Sequence, residues 1–136
     1  MKIEGACHCG AIAFEAEVDP DRVGICHCAD CQTLSGAPYR ASVPAEPGAF
    51  RILRGEPAHY VKTAESGNRR VQAFCRDCGS PIYAGAVDDP AAPLNIRVGA
   101  IKQRDKLVPK RQVWARSRQS WVDHIEAIPR IEKQSA

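Results

Sequence analysis

The chain has 136 residues, 26% of them charged, with a net charge of +3, few aromatics and seven cysteines. That length holds one hydrophobic core and is too short for two, and no apolar run approaches the ~18 residues that a membrane span requires. The modest charge makes nucleic acid an unlikely partner, and the opening MKIEGACHCG lacks the apolar stretch of a secretory leader, so a cytoplasmic chain with reduced thiols is expected.

In chain order, apolar residues recur with a period of two rather than 3.6. AIAFEAEV (11–18) puts Ile12, Phe14, Ala16 and Val18 on one face and Glu15 and Glu17 on the other. After the breaker Asp19-Pro20-Asp21 come the cysteines of CHCADC, and then a turn or two of helix in QTLSG (32–36). YRASV (39–43) sets Tyr39, Ala41 and Val43 on one side of a strand. Shorter strands are expected in FRIL (50–53), HYVK (59–62), RRVQAF (69–74) and PIY (81–83). PLNIRVGAI (93–101) alternates Leu94, Ile96 and Val98 with Asn95, Arg97 and Gly99. QVW (112–114) is the last strand, and a short helical piece in VDHIEAI (122–128) ends at Pro129. The expectation is a mainly β single domain over 1–136, with about 130–136 as a short C-terminal tail, built of short strands and metal knuckles.

The cysteines fall into three groups: Cys7 and Cys9 in CHCG, Cys26, Cys28 and Cys31 in CHCADC, and Cys75 and Cys78 in CRDCGS. On extended backbone, residues two apart share a face, and side-chain rotation can bring their sulfurs to the ~3.8 Å that two Zn–S bonds of ~2.3 Å imply. C-x-C is therefore a credible half-site, with His8 and His27 pointing the other way. C-x-x-C followed by glycine is a zinc-knuckle turn, the glycine supplying a positive φ. The simplest allocation joins Cys7, Cys9, Cys75 and Cys78 in a closed structural zinc site. It leaves Cys26, Cys28 and Cys31 to hold a second zinc with an open fourth position, the mark of a catalytic site. Other readings of the seven cysteines are a redox-active pair, which lacks its usual βαβ setting, an iron–sulfur cluster, whose spacings do not match, and one four-cysteine zinc with three idle thiols.

The segments CHCG (7–10), CHCADCQ (26–32), GEP (55–57), FCRDCGSPIY (74–83), VGAI (98–101) and SRQSW (117–121) carry a resemblance across nearly the whole chain. In them the chain resembles the glutathione-dependent formaldehyde-activating enzyme (GFA) family, which includes the centromere protein V domain. The resemblance implies an Mss4-like fold of several coiled antiparallel β-sheets and two zincs per chain, with the same four-plus-three division of the cysteines. It also implies the activity of the founding members, addition of glutathione to formaldehyde to give S-hydroxymethylglutathione. The chain is shorter than the founding enzymes, and its SRQSW lacks the proline that many relatives carry before the tryptophan. Both departures bear on glutathione recognition rather than on zinc.

The chemistry is consistent with that activity. Three thiolates around Zn²⁺ carry a net charge of −1, which suits the centre poorly to ionising water and well to holding a fourth thiolate. A thiol held there can attack a small aldehyde. The expected function is thus a zinc-dependent carbon–sulfur lyase resembling S-(hydroxymethyl)glutathione synthase, acting on a thiol such as glutathione and on formaldehyde or a similar aldehyde. The alternative is a non-catalytic zinc-stabilised β module binding a protein, nucleic acid or small thiol.

Charge is uneven along the chain, with 3 basic and 7 acidic side chains over 1–50 against 16 and 9 over 51–136. The excess concentrates between Arg97 and Arg118, in Arg97, Lys102, Arg104, Lys106, Lys110, Arg111, Arg116 and Arg118. These residues are either the solvated faces of strands or carboxylate-gripping arginines. Trp114 and Trp121 read as core or rim packing. His8 and His27 could support the zinc ligands from behind. Asp30 is expected to bond the knuckle backbone, and His59 and His124 carry no spacing signal.

Overall fold

A computed structural model of the chain describes residues 1–134, and the expected tail about 130–136 therefore ends outside the described residues. Ten strands are present among them: β1 (Lys2–Ala6), β2 (Ala13–Glu17), β3 (Gly24–Cys26), β4 (Arg40–Pro44), β5 (Arg51–Arg54), β6 (Ala58–Thr63), β7 (Arg69–Phe74), β8 (Pro81–Ala86), β9 (Asn95–Arg97) and β10 (Arg111–Val113). They form a three-stranded sheet in the order β1-β2-β5 and a seven-stranded sheet in the order β10-β3-β4-β9-β8-β7-β6. Helix α1 (Ala29–Ser35) and several 3₁₀ turns complete the mainly β architecture. All named pairings are antiparallel except β10 with β3, where the long intervening chain permits a parallel partner.

The period-two reading is met on the core side. Ile12, Phe14, Ala16 and Val18 are all buried, with Ile3, Val43, Ile82, Ile96 and Ile101 around them. Phe14 of the small sheet stacks on Phe50 at 5.4 Å, and Phe50 meets Tyr83 of β8 edge-on at 5.2 Å. The two sheets thus close on one core, in which a fully buried phenylalanine contributes about 1.5–3 kcal/mol.

Three elements differ from expectation, each for a local reason. β9 stops at Arg97, because Val98–Ala100 turns as a 3₁₀ helix and carries the chain to the small sheet. There Ile101 bridges Gly5, and the Lys102 N–H donates to the Glu4 carbonyl at 2.8 Å. α1 begins at Ala29, ahead of the expected start, because the Cys28 sulfur caps it by accepting from the Cys31 N–H at 3.4 Å. β10 ends before Trp114, which takes a left-handed backbone with φ 54°. The short helical piece expected in 122–128 is present as a 3₁₀ segment, Ser120–Ala127, kinked at His124.

The other face of the large sheet positions the site. Its register sets Val113, Cys26 and Arg40 in one row across β10, β3 and β4. Arg111, Gly24, Ser42 and Arg97 form the next row, and Pro44, Asn95, Ala84 and Gln72 the one after. These residues, with Lys62 of β6 and Arg70 of β7, line one concave surface to which all seven strands contribute.

Gly55 locks the turn after β5. Its φ is +80°, and an added Cβ would lie 2.2 Å from the Ala11 carbonyl oxygen. Gly48 has a similar φ of +70° but open space around it. Gly55→Ala is expected to lose more than about 2 kcal/mol in urea unfolding and Gly48→Ala about 1 kcal/mol. Equal losses would show that the close carbonyl approach does not matter.

Candidate metal centres and the cavity beside them

The first cluster forms where the two sheets meet. Cys7 and Cys9 follow β1, while Cys75 and Cys78 lie in the turn between β7 and β8, and all four sulfurs are within 4.8 Å of one another. Cys7 and Cys9 sulfurs are 3.6 Å apart, and those of Cys9 and Cys75 are 3.8 Å apart, the spacing that two Zn–S bonds require. Cys7 to Gly10 is a tight turn rather than extended backbone, closed by the Gly10 N–H on the Cys7 carbonyl at 3.1 Å. Gly10 and Gly79 both take positive φ, at 83° and 79°, so the two half-sites are matching knuckles. The Ile12 N–H points at the Cys7 sulfur at 3.2 Å. Ser80 holds the Cys78 thiol down to about 5 through its hydroxyl and its backbone N–H, favouring the thiolate that a metal binds.

The second cluster is Cys26, Cys28 and Cys31, also within 4.8 Å of one another. Among the described residues no fourth histidine, cysteine or carboxylate joins them. Cys26 ends β3, Cys28 caps α1 and Cys31 lies in its first turn, so a strand end and a helix start aim three sulfurs at one point. Burial, then the neighbouring Cys26, pushes the Cys31 thiol up to about 12. Burial also acts on Cys28, but the Cys31 N–H, the two other sulfurs and Lys62 outweigh it and bring that thiol down. Both clusters match soft thiolate coordination in number and spacing, so either could hold a metal.

The loop that carries the second cluster is clamped by the C-terminal segment. The His27 N–H donates to the Val113 carbonyl at 3.1 Å, and His27 Nε2 pairs with Gln112 Oε1 at 2.7 Å. Gln32 of α1 donates through Nε2 to the carbonyls of His27 at 2.8 Å and Ser117 at 3.1 Å, and its Oε1 accepts from Gln119 at 2.8 Å. His27 is therefore a buried brace for the loop, whereas His8 is exposed, with its backbone N–H on the Ser80 hydroxyl. His59 lies 3.4 Å from the Tyr83 hydroxyl, away from both clusters, and His124 is exposed.

The three sulfurs open onto a cavity of about 460 Å³. Its wall contains Arg22, Arg40, Lys62, Arg70, Arg97 and Arg111, and no acidic residue. Asp30 does not bond the knuckle backbone as expected; its carboxylate takes Lys62 Nζ, from β6, at 2.9 Å. Of the basic stretch, Arg97 and Arg111 reach this cavity, while Arg118 pairs with Asp123 and Arg116 lies over the Trp114 ring at 5.1 Å. Trp114 is at the cavity rim and Trp121 is half exposed. Arg40, Gln72, Lys62 and Arg70 were not singled out by sequence. For Arg40, Gln72 and Arg70 the signal is parity, since each lies on the strand face that the apolar alternation leaves free, whereas β6 buries no apolar row that would place Lys62.

The family model described as glutathione-dependent formaldehyde-activating enzyme matches residues 2–117. The chain belongs to that family. An uncharacterized lyase of Schizosaccharomyces pombe is 30% identical over 81 residues, 59% of this chain and 55% of that protein, so the chain spans about half of that relative's length. A crystal structure of a Rhodobacter sphaeroides protein superposes with a TM-score of 0.63 at 21% identity, over 81% of this chain and 99% of that one. It shares the fold. No helix among the described residues is long and apolar enough to cross a membrane.

Gln32 is the hinge pin between loop and C-terminal segment. Gln32→Ala is expected to cost about 1–3 kcal/mol and to speed proteolytic cleavage after residue 113, with the β-sheet circular dichroism retained. Unchanged cleavage would mean that the segment is held by β10 alone.

Proposed function

We propose that the chain is a zinc-dependent carbon–sulfur lyase that joins a thiol such as glutathione to formaldehyde or a similar small aldehyde, with two zincs bound. In this reading Cys7, Cys9, Cys75 and Cys78 hold a structural zinc, and Cys26, Cys28 and Cys31 hold the reactive one. The observation that carries the reading is a set of three converging sulfurs beside a cationic cavity. Its three-membered donor set contrasts with the complete four-sulfur set at the sheet junction. Family membership and a relative named as a lyase support the reaction class.

When bound, zinc would supply a cationic centre with one remaining position for a thiol and would favour its ionised form. The residues of the chain do the rest. The strand end at Cys26 and the capped turn at Cys28 fix three donors before any substrate arrives. Lys62 and the arginines of the wall attract an anionic thiol compound and offset its charge. In the joining step a sulfur electron pair forms the new C–S bond and the carbonyl π pair moves onto oxygen. The proton lost from sulfur ends on that oxygen, and nothing is oxidised or reduced. All seven cysteines are unpaired, which suits a reducing compartment, and we place the protein in the cytoplasm.

Glutathione and formaldehyde combine without help, so the test is rate and not product. Exchange NMR on their equilibrium mixture is expected to show interconversion accelerated about tenfold or more by the protein, and returned to the spontaneous rate by Cys28→Ser. Elemental analysis is expected to give two zincs in the native protein and one in Cys28→Ser, which keeps its fold. Cys78→Ser is expected to lose both metal and cooperative unfolding, since structural zinc binding is folding free energy. No acceleration with two zincs present would overturn the enzyme reading on these substrates. Equal unfolding of both variants would overturn the division of labour between the clusters.

A further inference from the structure

Arg40 and Arg97 lie on adjacent strands, β4 and β9, and converge on one neutral acceptor. Gln72 Oε1 accepts from Arg40 Nη1 at 3.1 Å and from Arg97 Nη2 at 2.7 Å, and Arg97 Nη1 also donates to the Ser42 hydroxyl at 2.8 Å. Arg40 is only 7% exposed, yet its Nε and Nη2 have no partner, nor does Arg97 Nε. Buried guanidinium groups are normally paired, and an unmade hydrogen bond there destabilises the fold. No salt bridge involving either arginine is formed among the described residues.

The adjacent charges do not remove this deficit. Three thiolates with one divalent ion would leave a single net negative charge against the six cations of the wall, of which, among the described residues, only Lys62 has a carboxylate partner. Burial, then Arg40, pushes Arg97 down to about 9, and Cys31 and Cys26 offset this only in part; the group stays charged at neutral pH. Both arginines also border two further cavities, of about 1160 and 390 Å³. The unpartnered N–H groups are themselves buried, so a rotamer change of the side chain is needed to present them to a ligand in one of these spaces.

We propose that Arg40 and Arg97, yoked by Gln72, form an oxyanion clamp that selects thiols of net negative charge bearing a carboxylate or sulfonate, glutathione among them, and disfavours thiols whose only charge is an ammonium group. The clamp supplies paired N–H donors in the planar arrangement that oxyanions fit, while a wall without a carboxylate gives an ammonium no counter-charge. The inference rests on the open-site reading above and narrows it from any thiol to thiols that carry a carboxylate or sulfonate and a net negative charge.

Two measurements keep the readings separable. The first titrates cobalt-substituted protein with 3-mercaptopropionate, 2-mercaptoethanesulfonate, 2-mercaptoethanol and cysteamine, following the thiolate-to-cobalt charge-transfer band. The acids are expected to bind at least about tenfold more tightly than cysteamine, with the uncharged thiol between them. Gln72→Glu places a carboxylate between the two arginines. It is expected to keep the fold, raise its thermal stability and abolish the preference. Binding of all four thiols alike would overturn the clamp and leave the open site standing. The second follows the Arg40 and Arg97 Nε–H resonances of the zinc protein during titration with propionate. If no thiol perturbs the cobalt band, the open-site reading falls, and the resonances judge the clamp alone: shifts with propionate uphold it, and their absence overturns it.

Discussion

The convergence of four sulfurs at the sheet junction is the constraint on which the remaining structure depends. Cys7 and Cys9 follow the first strand of the small sheet in a tight turn, and Cys75 and Cys78 make the turn between two strands of the large one. Close packing of thiols has no strong intrinsic attraction, so four of them within 4.8 Å imply a ligand that rewards the arrangement. Once the junction is fixed, Phe14, Phe50 and Tyr83 stack across it, and the large sheet must coil around the core it shares with the small one. The coiling turns its polar face into a hollow. The position of the three-sulfur cluster is thus a consequence of the four-sulfur one.

The second cluster obeys a different logic. It lies at a strand end and a helix start, two points where backbone N–H groups are free to face sulfur. A seven-residue helix is too short to persist by propensity, and α1 is held by its cap, by Gly36 in the left-handed region after it and by the Gln32 bonds to the C-terminal segment. The basic C-terminal stretch is therefore both brace and wall. Gln112 and Ser117 fix the loop, while Arg111 faces the cavity. The reading of that stretch as solvated strand faces and their connecting loop fails for Arg97, which is partly buried on β9. Arg111 is exposed on β10 at the cavity edge, and Arg118 lies beyond the strands and pairs with Asp123.

Sequence alone made the cysteine groups, the period-two strands and the buried row from Ile12 to Val18 legible, because ligand spacing and side-chain alternation are local properties. It also made the left-handed glycine of the CRDCG knuckle legible. It did not reveal Arg40, Gln72 or Lys62. Arg40 and Gln72 lie opposite an apolar row, and alternation says only that such a residue is off the core, not whether that face meets water or curls into a cavity; β6 buries no apolar row from which Lys62 could be placed. β3 is three residues long and too short to show a period. β9 looked longer than it is because Val98 and Ile101 are apolar for a different reason, the crossing to the small sheet. Asp30 was placed on the knuckle backbone because its nearest partners in sequence are there, whereas Lys62 comes from a distant strand.

A net charge of +3 conceals how the charge is placed. Many ion pairs formed by this chain sit on the outside, such as Arg69 with Asp88 and Lys102 with Glu4, where solvent screening makes each worth little. The cations that line the hollow are mostly left without carboxylates, although the chain has 16 acidic residues to offer. A fold optimised for stability alone would pair or neutralise Arg40 and Arg97, since their charges repel and their donors are buried. Retaining them unpaired beside three converging sulfurs is the kind of local conflict that marks a binding site. The energy withheld from folding is then available to a ligand that brings its own negative charge.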